Sequence, residues 1–138
     1  MLLYLYRVRD EVYDEFCDAI VDFDIQPGDF ETLATLRISN KNHELTPTEI
    51  YRTMLISSGG LTKILNRLEA GKFIKRFPNG RDQRSFLIKL SAKGKRVIEK
   101  AMDEVLKRQS LFLSVLTKKE QHTAQKILQK LSTRLDSL

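Results

Sequence analysis

Residues Thr46 to Leu90 constrain the chain most. They read as a short helix, a tight turn, a second helix, and two strands joined by a basic tip. Thr46-Pro47-Thr48-Glu49 opens the first helix, with Thr46 at the N-cap, Pro47 at the first helical position and Glu49 as the capping-box acid. That helix runs from about 47 to 54. Ser57 suits the cap of the second, which reaches about Ala70, with Gly71 placed as a C′ glycine. Leu61, Ile64, Leu65 and Leu68 fall on one apolar stripe at helical spacing, which turns Thr62, Lys63, Asn66 and Arg67 to the other side. Phe73–Phe77 and Ser85–Leu90 are aromatic and β-branched, Pro78-Asn79-Gly80 is a turn signal between them, and Arg81, Asp82 and Arg84 fill the connection.

A lysine or arginine on an outer helical face is usually just solvated. Two features argue for more. Gly59-Gly60 inside a first helical turn costs about 1 kcal/mol per glycine relative to alanine. It allows another backbone close to the amides at the helix start, where the dipole favours an anion such as phosphate. The second feature is the basic hairpin that follows. Residues 1–50 carry 4 basic and 11 acidic side chains, whereas residues 51–100 carry 13 basic and 3 acidic. The cationic middle coincides with the helix pair and hairpin, the footprint of a polyanion binder.

The segment Ile56–Glu69 resembles the recognition helix of the MarR family of winged helix-turn-helix transcriptional regulators. Gly80–Gly94 resembles that family's wing and the start of its long dimerisation helix. The family's wing often reads Asp-x-x-Asp-Arg-Arg and ends in Leu-Thr-x-x-Gly. Here Asn79 replaces the first Asp, Gln83 the first Arg of the pair and Ser91 the Thr, while Asp82 and Arg84 are kept. The resemblance covers nearly the whole chain. It implies a mainly α fold with a small β-wing: one domain over 1–138, with the winged helix-turn-helix at about 28–90 and dimerisation helices at about 2–23 and 91–138. It also implies a homodimer on double-stranded DNA, with a recognition helix in the major groove of each half of a pseudo-palindromic operator, and the single cysteine fits a reducing cytoplasm.

In that pose the candidate DNA-binding residues are Ser57, Ser58, Gly59, Gly60, Thr62, Lys63, Asn66 and Arg67 on the recognition helix, and Lys75, Arg76, Arg81, Asp82 and Arg84 on the wing. Lys63 and Arg67 suit guanine, and Asn66 suits adenine. Arg84 is the residue expected in the flanking minor groove, with Asp82 holding it. Lys75, Arg76 and Arg81 suit phosphates, and Thr46 and Thr48 are weaker backbone candidates. Repression is the family's commoner mode. A small aromatic or amphipathic effector in a crevice between dimer helices and winged domain is also implied, with Tyr13, Phe16 and Phe30 as candidate lining residues or plain core.

The flanks fit this frame. Residues 2–23 form an amphipathic helix with Leu5, Val8, Val12, Phe16, Ala19, Ile20 and Phe23 on one face, against its own core or a second subunit. A second helix at about 29–39 buries Phe30, Leu33, Ala34 and Ile38, and Asn40–His43 is a polar connection. Ser91 caps a long helix to about Leu116. In its first turn Lys93 reads as a solvated surface cation. Thr117-Lys118-Lys119-Glu120 opens a last helix with Ala124, Ile127, Leu128, Leu131, Leu135 and Leu138 on one face. Three amphipathic helices carry more apolar surface than a small winged core covers, which argues for a dimer.

Enzymes are disfavoured, because no nucleophile elbow, phosphate loop or paired-histidine motif occurs. No cofactor or metal is expected, since Cys17, His43, Glu44 and His122 lack zinc-like spacing. Cys17 is the single cysteine, so no intrachain disulfide can form, and it reads as a small, partly buried apolar residue. No run is long and apolar enough for a membrane span, and the short apolar start is not a signal peptide. Rival readings keep the fold and change the trigger to redox or metal, or change the partner from DNA to protein or RNA.

Overall fold

The computed structural model describes residues 1–54, 58–82 and 84–133. The expected cap Ser57, the wing residue Gln83 and the last stripe residues Leu135 and Leu138 lie outside them, as do the side chains of Ser58 and Gly59. The elements in order are α1 (Leu2–Ile20), α2 (Pro27–Ser39), β1 (Glu44–Leu45), α3 (Pro47–Thr53), α4 (Ser58–Ala70), β2 (Ile74–Pro78), β3 (Phe86–Leu90), α5 (Ala92–Phe112) and α6 (Lys118–Ser132). The fold is mostly helical with a small β-wing, as expected, but the sheet is antiparallel and three-stranded, ordered β1-β3-β2, one strand more than the hairpin the sequence shows.

The core gathers one or two residues from each central element: Ile20 from α1, Leu33 and Leu36 from α2, Ile50 from α3, Leu68 from α4, Ile74 and Ile88 from the sheet and Ile98 from α5. Each is sealed from water, which stabilises by about 1.5–3 kcal/mol per side chain. Helix α2 buries Leu33 as expected, but its inward face is rotated from the one expected. Ile38 is exposed, while Leu36, Thr32 and Asp29 are buried and Phe30 and Ala34 half-buried. The buried face of α2 is thus partly polar, and Thr32 meets that need by donating its hydroxyl to the Gly28 carbonyl at 2.8 Å.

Strand β1 escapes the sequence pattern because two residues have no period. It pairs with β3 through Glu44↔Lys89 and Leu45↔Ile88. The connection before it is folded by Asn40, whose side-chain nitrogen donates to the Glu44 carbonyl at 2.7 Å and whose side-chain oxygen accepts from Asn42 N at 3.0 Å.

The flanking helices leave much apolar surface uncovered. Only Ala19 and Ile20 of α1 are buried, and Leu2, Leu3, Val8 and Val12 are exposed. Helix α5 buries Ile98, Ala101 and Val105, and its last turn leaves Leu111 exposed, with Val115 exposed just beyond it. Helix α6 buries nothing, and Ile127, Leu128 and Leu131 face water. No helix among the described residues is long and apolar enough to cross a membrane.

Candidate nucleic-acid interface

Helix α4 is positioned from below by α3. Thr46 Oγ1 accepts from Glu49 N at 3.2 Å, and Glu49 Oε2 accepts from Thr46 N at 2.7 Å and from its hydroxyl at 2.8 Å. This is the expected capping box. The backbone hydrogen bond from Thr46, followed by the hydroxyl, holds the Glu49 carboxyl below its ordinary value. Leu61, Ile64, Leu65 and Leu68 form the buried stripe of α4, and Thr62, Lys63, Asn66 and Arg67 are exposed on its outer side. Ser58, Gly59 and Gly60 make the first turn of the helix.

The outward residues differ in what their side chains do. Among the described residues no carboxylate pairs with Lys63, Lys75, Arg81 or Arg84. Asn66 Oδ1 accepts from Arg76 Nη2 at 2.6 Å, and Arg76 Nε lies 3.3 Å from Glu69 Oε2. Arg76, expected as a phosphate contact, therefore ties the root of the wing to α4. Arg67 is engaged as well. Its guanidinium turns back onto Asp29 of α2, with Nη2–Oδ1 at 2.7 Å and Nε 3.0 Å from both carboxylate oxygens. Hydrogen bonding to Asp29 raises its pKa above the ordinary arginine value against the opposing effect of burial.

Strands β2 and β3 pair from Ile74↔Leu90 to Pro78↔Phe86. The tip is shaped by two side chains that bond to nearby backbone. Asn79 Oδ1 accepts from Arg81 N at 3.1 Å, and Asp82 Oδ1 accepts from Arg84 N at 3.0 Å. Asp82 thus holds Arg84 by its main chain rather than by its guanidinium, and Arg81 and Arg84 are both exposed. The wing tip and the outer face of α4 thus present Arg81, Arg84 and Lys63 as exposed cations that no described carboxylate neutralises.

The far end of α4 closes in a way the sequence hides. Phe73 N bonds to Leu68 O and Lys72 N to Glu69 O, both at 2.9 Å. This is a Schellman cap. Its left-handed residue is Lys72, at φ 62°, not Gly71. Gly71 is needed for space instead, because a Cβ there would stand 2.6 Å from the Phe73 ring.

Comparison with known proteins bears on this arrangement. A family model described as MarR family matches residues 23–85. The HTH-type transcriptional regulator PecS of Dickeya dadantii is 29% identical over 114 residues, 83% of this chain and 64% of its own length. An uncharacterized HTH-type transcriptional regulator of Bacillus cereus is 30% identical over 113 residues, 82% of this chain and 71% of its own. The chain belongs to the MarR family.

A mutant MarR from Escherichia coli, solved as a complex with operator DNA, superposes with a TM-score of 0.77 at 25% identity, covering 94% of each chain. The match to PecS leaves more than a third of that regulator's length without a counterpart here.

The three aromatics Tyr13, Phe16 and Phe30 lie near one another. Phe16 and Phe30 pack edge to face with centroids 5.1 Å apart, and Tyr13 lies 6.3 Å from Phe16. The three line an open cleft of about 410 Å³, together with Arg9 and Glu31. A smaller apolar cleft of about 150 Å³ shares Val12, Phe16, Val105 and Gln109 with it and is lined in part by the Arg108–Glu15 ion pair at 3.2 Å, which no periodic or local sequence signal marks. Cys17 is half-buried. The Tyr13 phenol is raised above the ordinary value, first by the charge of the Cys17 sulfur and then by burial and a hydrogen bond to it.

Proposed function

We propose that this chain is a sequence-specific, double-stranded DNA-binding transcriptional regulator that acts as a homodimer on a pseudo-palindromic operator. The observation that carries the proposal is the outer face of α4. It sets the exposed Lys63, Thr62 and Asn66 beside a wing tip with Arg81 and Arg84 outward, and no described carboxylate neutralises Lys63, Arg81 or Arg84. That the E. coli MarR mutant has been solved in complex with operator DNA supports the same reading.

Side-chain chemistry divides the work. Thr62, Lys63 and Asn66 suit base edges in the major groove. The amides of Ser58, Gly59 and Gly60, at the positive end of α4, suit a phosphate, with Ser57 just before them in the chain. Arg84 suits the narrow minor groove flanking each half-site, and Arg81 and Lys75 suit its phosphates. The exposed apolar residues of α1, α5 and α6 support pairing through a second copy, since a monomer rarely leaves so much apolar surface in water. A two-fold dimer would set its α4 helices about one DNA turn apart, roughly 34 Å. Release by a small aromatic or amphipathic ligand fits the Tyr13–Phe16–Phe30 cleft, and repression is the sign we propose.

Selection of bound duplexes from a random pool by the full chain tests this. Enrichment of two inverted half-sites is expected. An unenriched pool at low salt would defeat the proposal.

A further inference from the structure

Arg67 stands on the outward side of the proposed recognition helix, where its charge suggests guanine or phosphate. Its side chain runs the other way. The guanidinium grips the Asp29 carboxylate through Nη2–Oδ1 at 2.7 Å and through Nε at 3.0 Å to each oxygen. Asp29 is only 2% exposed. Its Oδ2 also accepts the Gln26 backbone N–H at 2.9 Å, at the start of α2. Arg67 donors and a helix N-terminus thus hold this carboxylate, and Arg67 is the only basic side chain among the described residues paired with it. A buried carboxylate that loses its cation is strongly destabilised. Arg67 can therefore turn to a base only by leaving a buried charge behind.

The pair also fixes geometry. A forked guanidinium on a carboxylate sets direction as well as distance. It joins α2 to α4 across 38 positions of sequence. Next to it the two helices nearly touch, since a Cβ on Gly28 would lie 2.7 Å from Ile64 Cδ1. Packing sets the spacing of the two helices there, and the ion pair sets how α4 is rolled against α2. That roll decides where Lys63 and Asn66 point.

We infer that Arg67 is a positioning residue: held by Asp29, it sets the angle at which α4 presents Lys63 and Asn66, and it reads no base itself. The inference rests on the DNA-binding reading above.

The test uses the full chain and a duplex recovered by selection. Arg67→Lys keeps the charge but loses the fork, and Asp29→Asn keeps an acceptor for Gln26 N but loses the charge. Each is expected to weaken binding roughly tenfold, the size of one lost charged hydrogen bond. The double variant should be no weaker than either single one. The order of preference among single-base substitutions of the duplex should be unchanged, as should the slope of log affinity on log salt. Relaxed discrimination at one base pair in Arg67→Lys, with Asp29→Asn unaffected, would overturn the inference, as would a slope reduced by about one.

Should either variant fail to fold, the unaltered chain gives the answer by NMR of its arginine Nε–H groups. A hydrogen-bonded Arg67 signal that persists when duplex is added supports the positioning role, and its displacement overturns it. An unaltered chain that enriches no duplex defeats the DNA reading itself, whereas one that binds while the variants behave as base-contact losses defeats only this inference.

Discussion

Asn66 Oδ1 accepts a hydrogen bond of 2.6 Å from Arg76 Nη2. The contact joins the outer face of α4 to the root of the wing, and Glu69 steadies the arginine from the next turn, 3.3 Å from its Nε. With the oxygen engaged, the N–H groups are what the Asn66 amide has left to offer. A residue posed this way favours an acceptor on a base edge, such as guanine O6 or N7 or thymine O4.

Replacing Arg76 by Met should therefore act at a distance. Discrimination at a single base pair of each half-site is expected to fall by about 1 kcal/mol, while affinity for an unrelated duplex stays within a factor of two or so. Anisotropy titrations against single-substituted duplexes read this. A uniform loss on every duplex would place Arg76 on a phosphate instead.

The wing tip should matter more directly. Arg84 is exposed and its backbone N–H is fixed by Asp82 Oδ1 at 3.0 Å, so its side chain leaves the tip from a set point. Arg84→Ala should cost about 1–3 kcal/mol of operator binding. Sedimentation should show the oligomeric state unchanged. Unaltered affinity would remove the wing from the interface.

Helix α5 begins by pressing on the end of α4. Lys93 Nζ donates to the Gly71 carbonyl at 2.7 Å and sits 4.3 Å from the centre of the Phe73 ring, so it is no mere surface cation. Ser91 Oγ donates to the Lys72 carbonyl at 2.7 Å. The approach is close enough that a Cβ on Gly94 would stand 2.0 Å from the Phe73 carbonyl oxygen, which is backbone. Gly94→Ala should thus destabilise by about 1–3 kcal/mol. Urea unfolding reads it as a lowered midpoint, and an unchanged midpoint would mean that this junction yields freely.

The turn itself holds the opposite opportunity. Lys72 adopts φ 62° with its side chain exposed, a conformation that costs a non-glycine residue roughly 1–2 kcal/mol. Lys72→Gly should raise stability by up to about 1 kcal/mol, offset in part by the looser unfolded chain. A lower urea midpoint would show that the Lys72 side chain contributes more than its backbone strain costs.

The sequence displayed the frame of this fold because its signals are periodic or local. Leu61, Ile64, Leu65 and Leu68 repeat with α4, Thr46 and Glu49 cap α3 within four residues, and Pro78-Asn79-Gly80 marks the turn between strands. What stayed hidden depends on long side chains or on packing. Helical spacing puts Arg67 outward by its Cα, but an arginine is long enough to fold back, and its partner Asp29 looks like an ordinary first-turn acid. Asn66 and Arg76 are 10 residues apart and meet only once the wing is folded. Gly71 carries the composition of a left-handed cap, yet crowding by Phe73 claims that glycine and the left-handed turn falls on Lys72. Strand β1 is too short for any pattern.

The most direct measurement is a hydroxyl-radical and methylation footprint of the full chain on its selected duplex. Two protected major-groove windows are expected, centred about 10–10.5 base pairs apart and flanked by minor-groove protection. The major-groove signal should vanish in Lys63→Glu and the flanking signal in Arg84→Ala. Uniform, unphased protection along the duplex, or windows that survive Lys63→Glu, would contradict the assignment of the outer face of α4 to DNA.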